Sequence, residues 1–266
     1  MIIGDSNNHV ALESLREILS LSQKTDREIA RGITLIEENL IQKKALVSIN
    51  SNPTSKQTKC VGITGAAGVG KSTLLNKLLQ SQNLSKHRIA VIAIDPSSKR
   101  TRGAVLGDRI RITESSIFEF VYFRSMATRG AYGGVNKSIE SILYFLRNSG
   151  FDLIIIETVG VGQNEIEISE YVDLVIHVID CNTGDEVQLE KAGLMEISDV
   201  FFINIRGDSI NHQFVSKLKN HVTNSPSTPT STQRVILGSS LSGKGSDEIW
   251  DLIDLIDKDS FLERNK

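Results

Sequence analysis

The chain has 266 residues and a formal net charge of −2, which allow a large, fully cored domain and argue against a nucleic-acid or membrane-binding surface. Its two cysteines, Cys60 and Cys181, exclude a disulfide framework and a Cys-x-x-Cys metal site, which is typical of a reducing compartment. Because residues 1–10 lack the regions of a signal peptide and no apolar run approaches about 18 residues, we expect a soluble cytoplasmic protein.

The first 50 residues predict a helical arm. Apolar residues recur there at helical intervals in two groups, and Thr25 and Asp26 between them are typical of a helix cap. The two groups are Leu12, Leu15, Ile18 and Leu19, and Ile29, Ile33, Ile36 and Leu40. We expect this arm, residues 1–56 with the polar connector 51–56, to pack on the following domain, either as a structural appendage or as a partner-binding arm.

Residues 57–258 predict an α/β domain in which short apolar strands alternate with helices. The strands are predicted at residues 60–64, 89–94, 117–123, 153–156, 174–179, 200–203 and 235–237, and the helices at 71–80, 135–148, 186–196, 210–222 and 247–256. Because these runs are apolar on both faces, they predict a mostly parallel sheet with helices on both sides. Ligands of such sheets bind beyond the carboxyl ends of the strands. Residues 259–266 are predicted to be a short tail.

The clearest motif follows the first predicted strand, where residues 65–72 fit the phosphate-binding pattern G-x-x-x-x-G-K-[ST]. Glycines bring backbone N–H groups close to phosphate oxygens, and the positive end of the next helix faces the same anion. Lys71 would charge-pair with the outer phosphates, and the Ser72 hydroxyl would bind Mg²⁺. The alternative is a glycine turn with an ordinary surface lysine. The predicted phosphate-binding residues are Gly65, Ala66, Ala67, Gly68, Val69, Gly70, Lys71, Ser72 and Thr73.

Carboxylates after two further strands predict the rest of a magnesium site. Asp95 follows the second strand, and Asp108 lies in the segment GDRIR. Both could orient Mg²⁺ directly or through its waters, with Ser72 completing the arrangement. For Asp95 the alternative is a turn residue, since Asp-Pro-Ser-Ser is also good turn chemistry.

The strand at 153–156 leads into the segment ETVGVGQ, which predicts a switch that senses the γ-phosphate. Glu157 supplies the acid, Gly160 the backbone amide that contacts the phosphate, and Gln163 is a candidate for orienting the attacking water. Residues 124–134, RSMATRGAYGG, carry two arginines among glycines. They predict either a mobile loop that closes over phosphates or a solvated basic loop.

Together these motifs resemble the MeaB/ArgK/MMAA family of SIMIBI-class P-loop GTPases. The matching segments are GITGAAGVGKSTLLNKL, IAVIAIDPSSKRT, GDRIRI, RSMATRGAYGG, FDLIIIETVGVGQNEIEI, GDEVQLEKAGLMEISD and LSGKGSDEIW. The resemblance runs from about Glu13 to Asp251. It implies a GTPase that uses GTP, GDP and Mg²⁺ and chaperones an adenosylcobalamin-dependent acyl-CoA mutase of the methylmalonyl-CoA mutase type, gating its cobalamin loading.

Carried over by position, the resemblance assigns Lys71 and Ser72 to phosphate and Mg²⁺, and Asp95 and Asp108 to the metal and the first switch. It assigns Glu157 to the second switch and to the metal site. Residues 180–191 match the family's additional switch, which responds to the mutase. The implied partners are therefore a guanine nucleotide and the mutase.

The base-recognition motif departs from the family pattern. Members read guanine with Asn-Lys-x-Asp, whereas this chain has Asn204-Ile205-Arg206-Gly207-Asp208, with the acid one residue late. Asp208 would reach the base if the loop bulges, and Arg206 could stack on it. Because unpaired polar groups penalise the wrong base, we expect a guanine preference that is weaker than usual.

Two further features can be compared with the family pattern: a second base-contacting segment and the length of the chain. Ser239, Ser240 and Leu241 resemble the family's Ser-Ala-Leu loop, whose backbone touches guanine, and the serine at 240 leaves that amide intact. The chain ends 16 residues after Trp250, where relatives continue into a helical dimerisation arm. A monomer or a different contact is therefore as compatible with the sequence as the family dimer.

Two other functions remain open at this point. A nickel-delivery GTPase would need a Cys/His cluster, but the five histidines are scattered, and His177 in an apolar strand favours a buried core residue. An ATP-using kinase, or a nucleotide-bound scaffold without turnover, is kept open by the altered base motif.

Overall fold

The computed structural model of the protein describes residues 3–54, 57–81, 87–95, 120–127, 138–158, 167–180, 194–207, 210–224 and 233–256. Seven strands in these ranges form one sheet, with the order β3-β2-β4-β1-β5-β6-β7 and every neighbouring pair parallel. The strands are β1 (Lys59–Thr64), β2 (Ile89–Asp95), β3 (Val121–Ala127), β4 (Leu153–Thr158), β5 (Leu174–Asp180), β6 (Val200–Asn204) and β7 (Arg234–Gly238). The predicted parallel α/β fold is confirmed.

The order of the strands places β1 between β4 and β5. Ile63 of β1 pairs with Glu157 of β4, and Thr64 pairs with His177 of β5. Since all three strands are parallel, the residues that follow them meet at one edge of the sheet.

The third strand differs from its predicted position. It was expected at residues 117–123, but β3 runs over Val121–Ala127. Arg124 therefore lies within a strand, where its Nη2 donates to Glu37 Oε2 at 2.8 Å. The prediction that residues 124–134 form a loop over phosphates is wrong for 124–127, because Arg124 is committed to a carboxylate of the N-terminal arm. Residues 128–134 lie outside the described residues.

The structure gives the bounds of eight helices in the described part of the chain. They are α1 (Ile3–Ser20), α2 (Asp26–Asn39), α3 (Lys43–Ile49), α4 (Lys71–Leu79), α5 (Ile139–Arg147), α6 (Leu194–Ile197), α7 (His212–Asn224) and α8 (Ser246–Asp254). The cap predicted at Thr25 is confirmed as a capping box: Thr25 Oγ1 accepts from Glu28 N–H, and Thr25 N–H donates to the Glu28 carboxylate. None of these helices combines the length and apolar character needed to cross a membrane.

The N-terminal arm forms part of the hydrophobic core. The apolar faces of α1, α2 and α3 join α5 over one face of the sheet, in one cluster that includes Ile33, Ile36, Phe145, Ile92 and Ile154. The approach of α2 to α5 is close, because a Cβ built on Gly32 would lie 2.2 Å from Phe145 Cζ.

The other face of the sheet is covered by α4 and α8. Trp250 of α8 is fully buried, and its Nε1 donates to the Leu78 carbonyl at 3.2 Å. Lys59, the first residue of β1, donates its Nζ to the carbonyls of Ile253 and Asp254 at 2.8 and 2.9 Å. These bonds satisfy carbonyls at the C-terminal end of α8 and fix that helix behind β1 and α4.

Candidate nucleotide-binding site

The loop between β1 and α4 has the backbone shape of a phosphate cradle. Gly65, Gly68 and Gly70 have φ angles of 133°, 79° and 106°, which favour glycine. A Cβ on Gly65 would lie 2.2 Å from the Val178 carbonyl oxygen, whereas one on Gly68 would meet nothing within 4 Å. The loop leads directly into α4, so the positive N-terminal end of this helix faces the same space.

Lys71 lies inside this loop. Its side chain donates from Nζ to the carbonyls of Gly65 at 2.6 Å and Ala66 at 2.8 Å, and the residue is only 6% exposed. The alternative of an ordinary surface lysine is therefore excluded. The ammonium group is held where a phosphate oxygen bound to the loop would meet it.

Ser72 joins the loop to the neighbouring strand. Its Oγ donates to Glu157 Oε1 at 2.5 Å, and this contact brings together residues 85 positions apart. A hydroxyl and a carboxylate oxygen are the hard ligands that Mg²⁺ prefers, so this pair fits the ion. Asp95 ends β2, beside β4. Within the described residues no group of three or more His, Cys, Asp or Glu could hold a metal, so the cluster needed for nickel delivery is not found among them.

A histidine lies beneath the loop. His177 of β5 is buried, and its Nδ1 is 2.9 Å from Thr64 Oγ1. Burial, with a smaller contribution from the nearby charge of Lys71, lowers the pKa of His177 to about 4. The imidazole is thus neutral at physiological pH, as expected for the buried core histidine that its apolar strand indicated.

Asn204 connects three segments of the site. It ends β6 and is fully buried. Its Nδ2 donates to the Val69 carbonyl at 2.7 Å, and its Oδ1 accepts from the Ser240 N–H at 2.9 Å. A Cβ on Gly70 would lie 2.5 Å from the same Nδ2. The side chain therefore ties the phosphate loop to the loops after β6 and β7.

Arg206 lies at the mouth of the site. Its Nη2 donates to the Gly68 carbonyl, and its Nε is 3.6 Å from Asp180 Oδ2. The side chain of Arg206 is 41% exposed, and that of Asp180 is 8% exposed. On the adjoining loop, Leu241 is 68% exposed. A cation and an apolar side chain thus face solvent beside the phosphate loop.

The structure brings most of the described site residues to one edge of the sheet. Gly160, Gln163, Asp108 and Asp208 lie outside the described residues, as does the side chain of Asp95. The contact partners that the sequence reasoning missed are Thr64, His177 and Val178, together with Asp180 as the partner of Arg206. All four lie at or near the carboxyl ends of β1 and β5. This position is the feature of the sequence from which they could have been predicted as site residues.

Comparison with known proteins gives consistent matches. The family described as "Methylmalonyl Co-A mutase-associated GTPase MeaB" matches residues 29–262. A candidate GTPase of Pyrococcus horikoshii is 42% identical over 194 residues, covering 73% of this chain and 61% of that protein. GTPase ArgK of Escherichia coli is 33% identical over 259 residues, covering 93% of this chain and 76% of that protein. The chain spans about three fifths of the length of the first curated relatives that it matches.

Among solved structures, the crystal structure of an LAO/AO transport system kinase is similar in fold. The TM-score is 0.63 at 24% sequence identity, and the match covers 99% of this chain and 79% of that one.

Proposed function

This chain belongs to the MeaB family of methylmalonyl-CoA mutase-associated GTPases, and we propose that it binds GTP and GDP with Mg²⁺ and hydrolyses GTP. The observation that carries the proposal lies at the adjacent ends of β1 and β4. Lys71 bonds to the Gly65 carbonyl of the loop, and the next residue, Ser72, bonds to Glu157 of β4. Such an arrangement places a cation and two oxygen ligands around one anion-binding loop.

In this proposal each residue has a distinct task. Backbone N–H groups of residues 65–72 and the first turn of α4 bind the phosphates, and Lys71 stabilises the charge that develops on the transferred group. Mg²⁺, when bound, neutralises charge on the outer phosphates, and Ser72 and Glu157, with Asp95 and Asp108, would hold it or its waters. Gly160 would contact the γ-phosphate through its amide, and Gln163 would orient the attacking water.

The partner belongs to the proposal as well. The family name supports an association with an adenosylcobalamin-dependent acyl-CoA mutase of the methylmalonyl-CoA mutase type. We place the protein in the cytoplasm as a chaperone that gates cobalamin loading, with residues 180–191 responding to the mutase. Nucleotide-dependent switch segments couple hydrolysis to partners in this way in other GTPases.

A second candidate is a nucleotide-bound protein with relaxed base preference. It is favoured by the contacts of Asn204, whose amide group bonds to the Val69 carbonyl and the Ser240 N–H. In this geometry the Ser240 N–H and the Asn204 Oδ1 are bonded to each other within the protein. Base discrimination requires paired polar groups that the wrong base leaves unsatisfied, so weaker discrimination would result.

Nucleotide titration tests the enzymatic proposal. Fluorescent GTP, GDP and ATP are titrated against the wild type, Lys71→Ala and the matched control Lys44→Ala, which removes an exposed lysine of α3. Phosphate release is measured in parallel. We expect GTP binding and slow release by the wild type and by Lys44→Ala, and loss of both in Lys71→Ala. Equal affinity for GTP and ATP would contradict guanine preference, and binding without phosphate release would favour the scaffold.

A reconstituted assay tests the partner. A purified adenosylcobalamin-dependent mutase is mixed with the protein in the presence of GDP, GTP or a non-hydrolysable GTP analogue. We expect co-elution that depends on the nucleotide, and a change in the rate of cobalamin transfer to the mutase. Absence of association in all three nucleotide states would contradict the chaperone role.

A further inference from the structure

Helix α2 ends at the same edge of the sheet as the candidate nucleotide-binding site. Just before the helix begins, the Lys24 carbonyl accepts from Arg88 Nη2 at 2.8 Å, and Arg88 directly precedes β2, at the amino edge of the sheet. Near its end, Thr34 and Glu37 contact Nη2 of Arg124, in the middle of β3. The path from Lys24 to Glu37, at about 1.5 Å per helical residue, spans about 20 Å, which matches the length of the seven-residue β2. Helix α2 therefore runs from the amino edge to the carboxyl edge.

The next helix starts at the carboxyl edge as well. Lys43, the first residue of α3, lies 3.0 Å from Glu140 in the first turn of α5. The other end of α5 is at the amino edge, because the Ser149 carbonyl just after it accepts from Arg88 Nη1 at 3.1 Å. The turn between α2 and α3, residues 40–42, thus lies at the carboxyl edge, on the side of β2, β3 and β4. We call this turn the α2–α3 corner.

Leu40, the first residue of the α2–α3 corner, has an unusual backbone conformation for its type. Its φ and ψ angles are 48° and 43°, in the left-handed region. It is the one non-glycine residue with a positive φ in the part of the chain that the structure describes. Helices usually place glycine or asparagine at this position, because other L-residues are strained there. The conformation is fixed by two bonds to the Ile36 carbonyl, from the Leu40 N–H and from the N–H of the buried Ile41.

The side chain of Leu40 is not used by the hydrophobic core. Leu40 is 65% exposed, and Glu38, Gln42 and Lys44 around it are exposed as well. An exposed leucine is ordinary on its own, but this one combines exposure with a strained backbone, and such strain clusters at functional positions. An apolar side chain projecting within a polar rim has the form of an anchor in a protein–protein interface.

We propose that Leu40 is an apolar anchor through which the partner of the proposed function, the acyl-CoA mutase, docks on the α2–α3 corner. This assignment rests on the proposed function and gives the partner a contact on the N-terminal arm. The occupant is argued from position. Strands β2 and β4 end at the same edge and lead into the segments proposed to hold Mg²⁺ and to contact the γ-phosphate. A partner that responds to the nucleotide has to contact this edge, and the corner, held by Ile41, gives it a contact beside those segments.

The experiment separates docking from folding. Leu40→Gly and Leu40→Asn remove the apolar side chain and suit the left-handed backbone, whereas Leu40→Met keeps an apolar side chain. The dissociation constant for a purified adenosylcobalamin-dependent mutase is measured by fluorescence anisotropy, in the nucleotide state that binds most tightly. The midpoint of thermal unfolding and the affinity for GTP are measured in parallel. For Leu40→Gly and Leu40→Asn we expect about tenfold weaker mutase binding, no decrease in the midpoint, and GTP affinity unchanged within about twofold. Leu40→Met should retain mutase binding within about threefold of the wild type.

Leu255→Asn is the matched control. Leu255 is 70% exposed, but it lies at the C-terminal end of α8, next to the carbonyl that accepts from Lys59 at the start of β1. It is therefore at the amino edge, and its substitution should leave mutase binding unchanged.

Several outcomes would overturn the docking site. Unchanged mutase affinity in both Leu40→Gly and Leu40→Asn would do so, and so would an equal loss in Leu255→Asn. A lower unfolding midpoint or a parallel loss of GTP affinity would also contradict it, because Leu40 would then support the fold or the nucleotide site. Failure of the wild type to bind the mutase in every nucleotide state would instead overturn the proposed chaperone role, and the docking site with it.

Discussion

His177 shows how a single buried side chain makes stability depend on pH. The imidazole lies next to Thr64 and beneath Lys71, and burial lowers its pKa to about 4, compared with about 6.5 in an unfolded chain. Below pH 6.5 the unfolded chain binds a proton that the folded protein does not bind until about pH 4. Stability is therefore lost as the pH falls through this window, by up to about 3 kcal/mol.

We expect His177→Asn to reduce this loss. Asparagine has no titratable group, and it can still pair with Thr64, so the variant should lose less stability than the wild type between pH 7.5 and pH 5. The measurement is urea unfolding of both proteins at the two pH values. The carboxylates are common to both proteins, so the difference between the two losses isolates position 177. Parallel losses would show that His177 titrates normally.

Substitution by alanine should reduce the stability of the protein by very different amounts at two glycines of the phosphate loop. Gly65→Ala combines a φ of 133° with a Cβ only 2.2 Å from the Val178 carbonyl, whereas the Cβ in Gly68→Ala meets nothing within 4 Å. We expect a loss on the order of 4 kcal/mol for the first and about 1–2 kcal/mol for the second. Thermal and denaturant unfolding would test this order, and equal effects would contradict the close approach of β5 to Gly65.

At the scale of the elements, the close contact between α2 and α5 leads us to expect the opposite of what helix propensity alone would predict. Alanine is a better helix former than glycine by about 1 kcal/mol. At Gly32, however, a Cβ would lie 2.2 Å from the fully buried Phe145 ring. We therefore expect Gly32→Ala to destabilise the protein by about 1–3 kcal/mol.

A compensating change provides the control for this contact. Phe145→Leu removes ring atoms from the clash, so the double variant Gly32→Ala/Phe145→Leu should lose less stability than the sum of the two single variants. Urea unfolding measures all four proteins. Additive losses would mean that α2 and α5 adjust independently.

The elements also show where sequence reasoning succeeds and where it fails. The apolar runs before Gly65, Glu157 and Asn204 place β1, β4 and β6 to within two residues, because strands buried on both faces need little beyond local composition. The prediction ends the third strand too early, because Arg124 and Ser125 are polar. The ion-pair partner of Arg124, Glu37, lies 87 residues away in the sequence, and no local pattern reveals such a pair.

At the scale of the molecule, the arm and the sheet share one core and one buried ion pair. Arg124 Nη2 lies 2.8 Å from Glu37 Oε2, and the two side chains are 22% and 7% exposed, respectively. Removing one member of such a pair leaves a buried charge and costs about 3–5 kcal/mol, whereas replacing both with apolar residues costs far less. We therefore expect strong coupling between Glu37→Met and Arg124→Met in a double-mutant cycle.

The chain offers an exposed pair between the same layers for comparison. Lys43 of α3 lies 3.0 Å from Glu140 of α5, and both side chains are about half exposed. The coupling energy between Lys43 and Glu140 should be at most about 1 kcal/mol. Denaturant unfolding of both cycles tests the contrast. Similar coupling energies would show that solvent screens the Glu37–Arg124 pair as well.

The site was predictable in its location but not in its connections. The rule that polar residues after parallel strands meet at one edge predicts that Lys71, Ser72 and Glu157 converge. It gives no indication that Asp180 would orient Arg206, because that ion pair depends on the exact course of the loop after β6. Register within a sheet is fixed by strand pairing, but loops have no such constraint.

The attachment of α8 to β1 and α4 has a consequence for biosynthesis. Trp250 and the Lys59 bonds to the end of α8 complete the layer behind the phosphate loop, although Leu78 of α4, which accepts the Trp250 bond, is translated 172 positions earlier. A nascent polypeptide on the ribosome exposes the apolar back of α4 until Trp250 emerges. The layer behind the phosphate loop is therefore completed late in translation, and we expect premature termination before residue 246 to yield a fragment prone to aggregation.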